Sequence, residues 1–351
     1  MRRKLLLKKP TYEDIFGTII CLLIAVLLIC SPCEIDSKGY EVVFYDTSGT
    51  NFLQIEIGFY LLMQFAKLIG LNYWGFRAAV IVLSLFLINN AIKRLNTNIV
   101  KFWCVFSIFP MLYIAITIRF LFAMSLMLLG LSFLITLENK IKARIIFIAS
   151  TILGTIFHMS TLLFLFLLVP HLFDDRKFKK IMLLSLIVEI ISIFSFARVA
   201  SFITSFITYY RSLVTYYTLN LNVIDWLQFM IVYIVLVAIV YYVIKPDYIY
   251  ENKEAENKFI LKKNIAIANF FLVGLVILNS TFSRYFQAAI IIMTIFIMDK
   301  SVTGTKKTFV FRMIFFAIMI FLAYFFLHGR IWDAWSFAFM KLTKFTELLL
   351  H

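Results

Sequence analysis

The chain has 351 residues, of which 63% are hydrophobic and only 15% charged, and its mean hydropathy is +0.95. Soluble domains carry roughly 25% charged residues, so this usage excludes a soluble fold and implies an all-α, polytopic integral membrane protein. A formal net charge of +15 would point to nucleic acid in a soluble protein. Here Lys and Arg gather in short loops between apolar runs, where membrane topology and anionic lipid explain them and no nucleic-acid partner is expected.

In chain order, apolar runs occupy about 15–30, 57–69, 76–92, 102–117, 119–137, 144–157, 159–173, 181–197, 224–244, 264–280, 285–298 and 309–327. The basic N-terminal stretch followed by the first run resembles a signal peptide. No small-x-small cleavage site follows, so a retained first helix is expected. Cys30-Ser31-Pro32-Cys33 has redox-motif spacing but lacks the strand and helix pattern of a thioredoxin, and reads as packing. With no repeat and no Gly/Ser or Pro-rich linker, residues 1–351 form one membrane domain.

The breaks between runs set the topology. Basic clusters lie at Arg2/Arg3/Lys4/Lys8/Lys9, Lys93/Arg94/Lys101, Lys140/Lys142/Arg144, Arg176/Lys177/Lys179/Lys180, within 245–263, and at Lys300/Lys306/Lys307. The positive-inside rule places all six in the cytoplasm. Same-side loops are separated by an even number of crossings, and every interval after the first contains two runs. The first contains three, and the run 57–69 is too short for a bilayer core of about 30 Å. The expectation is therefore about 11 transmembrane helices plus a re-entrant or interfacial half-helix near 57–69. Outer loops are expected at 31–56 and 198–223, with an outer amphipathic segment at 329–351 that includes Trp332, Trp335, Lys341 and Lys344.

This topology gathers several polar residues on the non-cytoplasmic face. Glu56 abuts the short apolar run, where a carboxylate is costly and therefore a functional candidate, and Asp46 is its companion in the same polar loop. Arg119 and Arg284 each open an apolar run at an outer turn and carry forked donors that fit phosphate oxygens. His158 interrupts a hairpin at the same level and suits general-base work. Arg211 lies among Tyr209, Tyr210, Tyr216 and Tyr217, a mixture suited to sugar rings and anions. No HExxH, Walker loop, nucleophile elbow or metal-spaced Cys/His set occurs, so neither a metal nor another cofactor is expected.

Tyr45-Asp46-Thr47-Ser48-Gly49-Thr50-Asn51, Ile55-Glu56-Ile57-Gly58-Phe59, Ile118-Arg119-Phe120-Leu121-Phe122-Ala123 and Phe157-His158-Met159-Ser160 follow one another in an order that resembles the EpsG family of Wzy-like polysaccharide polymerases, which serve capsule, exopolysaccharide and O-antigen systems. The likeness covers roughly residues 35–300. The chain departs from the family pattern at Phe120, where many members carry Gln. The resemblance implies a metal-independent glycosyltransferase of the bacterial cytoplasmic membrane with an outward-facing site. Its substrates would be polyprenyl-diphosphate-linked oligosaccharide repeat units, and its partners membrane lipid, a chain-length regulator and a flippase. With the residue reading, this assigns Arg119, Arg284 and Arg211 to the diphosphates and Glu56, His158 and Asp46 to catalysis, leaving open which of Glu56 and His158 is the base. Tyr45, Tyr210 and Tyr285 are assigned to sugars. A flippase or exporter would need charges along a central path open to both sides, whereas these charges share one face. A glycan ligase uses similar chemistry and stays open.

Overall fold

A computed structural model describes residues 11–30, 34–46, 56–111, 117–187, 223–244, 253–274, 283–301 and 305–327. Helix α1 (Tyr12–Cys30) starts at a reciprocal cap. The Thr11 hydroxyl donates to the Asp14 carboxylate at 2.7 Å and accepts from the Asp14 amide at 3.2 Å, satisfying donors that a helix start leaves orphaned. Helices α4 (Tyr73–Arg94), α5 (Ile99–Ile108) and α7 (Lys140–Phe157) open on Asn72, Asn98 and Asn139. Each asparagine side chain accepts from the amide three residues on.

Helix α6 (Ile118–Thr136) is the centre of the first bundle, buried along most of its length between α4 and α7. Small residues permit the approach. A Cβ on Gly154 would meet the Ala123 carbonyl oxygen at 2.8 Å, so α7 lies directly on the α6 backbone there. After α7 come a 3-10 segment (Met159–Leu168) and the single turn α8 (Val169–Leu172), and residues 175–187 are again helical. Helices α9 (Val223–Ile244), α10 (Lys253–Gly274) and α11 (Ser283–Ile297) pack on one another, and α12 (Lys306–Leu327) lies against α9. The 3-10 segment against α10, and α5 against α11 and α12, join the two groups.

Four helical stretches among the described residues are long and apolar enough to cross a bilayer: Tyr12–Cys30, Tyr73–Arg94, Ile118–Thr136 and Lys306–Tyr324. Shorter apolar helices accompany them. The chain is a multi-pass, all-α membrane protein. The run 159–173 is short for an α-helical crossing, but its 3-10 geometry rises about 2 Å per residue, so with the turn of α8 it reaches about 26 Å.

One expectation changes. The segment 31–56 was expected to be a loop, yet it contains helix α2 (Glu34–Tyr45). Tyr40, Val43 and Phe44 share its buried face at helical spacing, and burial of that face holds the helix in place despite its polar composition. The short helix expected near 57–69 is present as a separate 12-residue element, α3 (Ile57–Leu68). It ends where Gly70 adopts φ 79°, the Leu71 amide donates to Ala66 and the Gly70 amide to Lys67. Helix α4 follows after Leu71 and Asn72. The segments 198–222 and 329–351 lie outside the described residues, as does most of the run 181–197.

The basic breaks meet at one end of the bundle. The Lys300 amide donates to Asn96 and the Asn98 amide to Met298, tying the start of α5 to the end of α11. Lys300 pairs with Glu13 of α1 at 3.0 Å, Lys262 pairs with Asp299, and Arg312 donates to the carbonyls of Ile297 and Asp299. Of the residues of the next section, Arg284 sits at the other end of α11.

Candidate functional site

Helix α6 begins at Ile118 and α7 ends at Phe157, so the hairpin between them returns Arg119 and His158 to one end of the bundle. Helix α11 starts at the same end and brings Arg284. Helix α3 starts there as well, with Glu56 as its N-cap residue. Gly58 makes this last placement possible. A Cβ on it would stand 2.5 Å from Ile156 Cγ2 and 2.8 Å from the Ile156 carbonyl oxygen. Only a residue without a side chain lets α3 lie on the last turn of α7.

Two cation and base couples result. Arg119 Nη1 is ion-paired with Glu56 Oε2, and the other carboxylate oxygen of Glu56 accepts from the Met159 amide at 3.4 Å. Both side chains are about one-fifth exposed. Arg284 Nη1 donates to His158 Nε2 at 3.0 Å. A guanidinium has no acceptor, so Nε2 carries the lone pair and the proton of the neutral ring sits on Nδ1, which donates to Ser160 Oγ at 2.7 Å. The Met159 amide bridges the couples, since it follows His158 in the chain and donates to Glu56.

Their supports are buried. Tyr40 Oη accepts from Arg119 Nε at 2.9 Å, and its ring lies under the guanidinium with 4.8 Å to the centroid. The Phe120 ring stands edge-on to His158 at 5.4 Å. Tyr285 is 1% exposed, donates to the Ser160 carbonyl at 2.8 Å and packs on Phe164, so it braces the turn that carries His158. The hydroxyls of Thr117 and Thr161 and the amide oxygen of Gln287, each two or three residues from a site residue, are buried without a hydrogen-bond partner among the described residues. Such atoms are costly unless something polar meets them.

Of the residues singled out in the sequence, Glu56, Arg119, His158 and Arg284 converge. Glu56 neutralises Arg119, which shows no acidic neighbour along the chain. Tyr45 and Asp46 stand at the end of α2, one turn or more beyond Tyr40. Arg211 and Tyr210 lie outside the described residues. Sequence reading missed Tyr40 and Ser160. Tyr40 stands four residues before Phe44, a helical spacing hidden by the polar residues around it, and Ser160 is marked only by its place two residues after His158.

The Arg119–Glu56 couple is a neutral ion pair and the Arg284–His158 couple keeps one positive charge, and a strong anion can open both. Phosphate oxygens compete for forked arginine donors, and each arginine that turns to them releases a carboxylate or an imidazole. Comparison with known proteins gives no match among curated proteins and none among solved structures, whereas residues 14–340 match the EpsG family.

Proposed function

Because the chain belongs to the EpsG family, which implies exopolysaccharide biosynthesis, we propose that it polymerises oligosaccharide repeat units carried on polyprenyl diphosphate. The reaction takes place on the outer face of the cytoplasmic membrane. The observation that carries this reading is the pairing of each outer arginine with a base, Arg119 with Glu56 and Arg284 with His158.

In the reaction, a hydroxyl oxygen of the acceptor unit attacks the anomeric carbon of the donor chain, forming the new glycosidic bond. The bond from that carbon to the diphosphate oxygen breaks, and its electron pair leaves with the diphosphate. Arg119 and Arg284 stabilise that charge where it develops, with Arg211 as a third cation. Glu56 or His158, freed from its arginine by the arriving diphosphate, accepts the hydroxyl proton. Base activation thus depends on donor binding, which keeps water from being deprotonated in an empty site. Ser160 holds the tautomer in which Nε2 is the acceptor. Asp46 and the Tyr45 ring, further along α2, contact the saccharide. Eleven crossings with a cytoplasmic N-terminus complete the topology.

The test is gel analysis of surface polysaccharide from cells lacking the gene and complemented with wild type, Arg119→Lys or His158→Ala at matched expression. Wild type restores a ladder. His158→Ala leaves single lipid-linked units at the outer face, and Arg119→Lys, which keeps the charge but loses the fork, cuts polymer at least about tenfold. A normal ladder from both variants overturns the assignment, and units trapped on the cytoplasmic side identify a flippase.

A further inference from the structure

One helical turn past Tyr40, the end of α2 and the α3–α4 turn enclose an open cleft of about 370 Å³ lined by Phe44, Tyr45, Lys67, Gly70, Leu71 and Asn72. This is within the range of small-molecule sites. Resting on the polymerase reading, we infer that this cleft is a saccharide subsite for an acidic sugar, with Lys67 facing its carboxylate and Tyr45 its ring.

The chemistry is divided among three side chains. The Lys67 ammonium sits over the Phe44 ring, 5.3 Å from the centroid, and no carboxylate among the described residues lies in ion-pair reach of it. A half-buried cation on an aromatic face is poorly hydrated and gains from an anion delivered by a ligand. Tyr45 is 55% exposed, and its ring stands perpendicular to Phe44 at 5.2 Å. Its hydroxyl accepts from the Tyr73 amide at 3.3 Å, which fixes the ring while leaving a face for the apolar C–H groups of a pyranose. Asn72 uses its carbonyl oxygen to cap α4 at Gly75, so its amide N–H groups remain as donors to sugar hydroxyls.

The location suits a unit next to the reacting one. Tyr45 follows Tyr40, the partner of Arg119, by five residues on one helix, a rise of about 7.5 Å. The αL turn at Gly70 forms the cleft's rim and holds Lys67 in the last turn of α3. A phospholipid headgroup would also offer an anion to Lys67, but it has no use for the fixed aromatic ring beside it.

The test uses the full chain in nanodiscs of zwitterionic lipid, with a glucuronate tetrasaccharide and a neutral glucose tetrasaccharide as probes. The acidic probe binds at least about tenfold more tightly. Lys67→Gln abolishes that preference but leaves the neutral probe unchanged, Lys67→Arg retains it, and Tyr45→Ala weakens both probes. An unchanged preference in Lys67→Gln overturns the inference. So does its loss when the same wild-type protein is placed in anionic lipid, because a headgroup then occupies the lysine. Loss of polymer in Arg119→Ala cells alongside an unchanged preference in Lys67→Gln would refute the subsite alone. Normal polymer from Arg119→Ala would refute the polymerase reading itself, whatever the probes show.

Discussion

At the scale of single residues, the candidate site holds each arginine against a base, one couple neutral and the other carrying a single positive charge. Unpaired charges at the edge of the apolar core would be costly; Glu56 neutralises Arg119, His158 supplies Arg284 with a hydrogen-bond acceptor, and both cations stay open to a stronger anion. Ser160 fixes the tautomer in this arrangement, because its hydroxyl accepts a hydrogen bond from Nδ1–H of His158. Ser160→Ala leaves the ring free to move its proton to Nε2, where it can no longer accept. The expected outcome is a fall in kcat of about tenfold with KM unchanged, restored by Ser160→Thr. Steady-state kinetics on purified protein check this, and a change confined to KM would contradict the role.

At the scale of elements, α3 decides whether Glu56 reaches Arg119. Gly58→Ala places a methyl group against Ile156, whose backbone carbonyl cannot yield. The expected cost is about 1–3 kcal/mol, seen as a lower Tm in detergent together with loss of polymer, and an unchanged Tm and ladder would contradict it. The sequence made α3 legible, because a 13-residue apolar run cannot cross a bilayer and needs another placement. It did not reveal α2. Glu34, Asp36, Glu41 and Asp46 dominate that segment, and only burial of Tyr40, Val43 and Phe44 against α3 and α4 selects a helix over a solvated loop. The candidate site was legible one residue at a time. The pairing was not, because Glu56 and Arg119 are 63 residues apart and His158 and Arg284 are 126 apart.

At the scale of the molecule, the two ends of the bundle differ in kind. One end is a lattice of Lys, Arg, Asp and Glu that fastens α1, α5, α10, α11 and α12 together, and the other holds the arginine and base couples. Under the proposed function the positive-inside rule turns the basic end to the cytoplasm and the couples outward. In a cysteine-free background, Gly39→Cys reacts with a membrane-impermeant maleimide in intact cells, while Glu138→Cys, in the turn between α6 and α7, reacts only after permeabilisation. The reverse pattern would turn the site inward. The most direct measurement is reconstitution of the purified chain in proteoliposomes with polyprenyl-diphosphate-linked repeat units as the sole substrate. Polymerisation predicts a ladder of glycans with one free polyprenyl diphosphate released for each unit added, and both signals should be lost in Arg284→Ala. Transbilayer movement of intact units with no ladder and no released diphosphate would contradict the account.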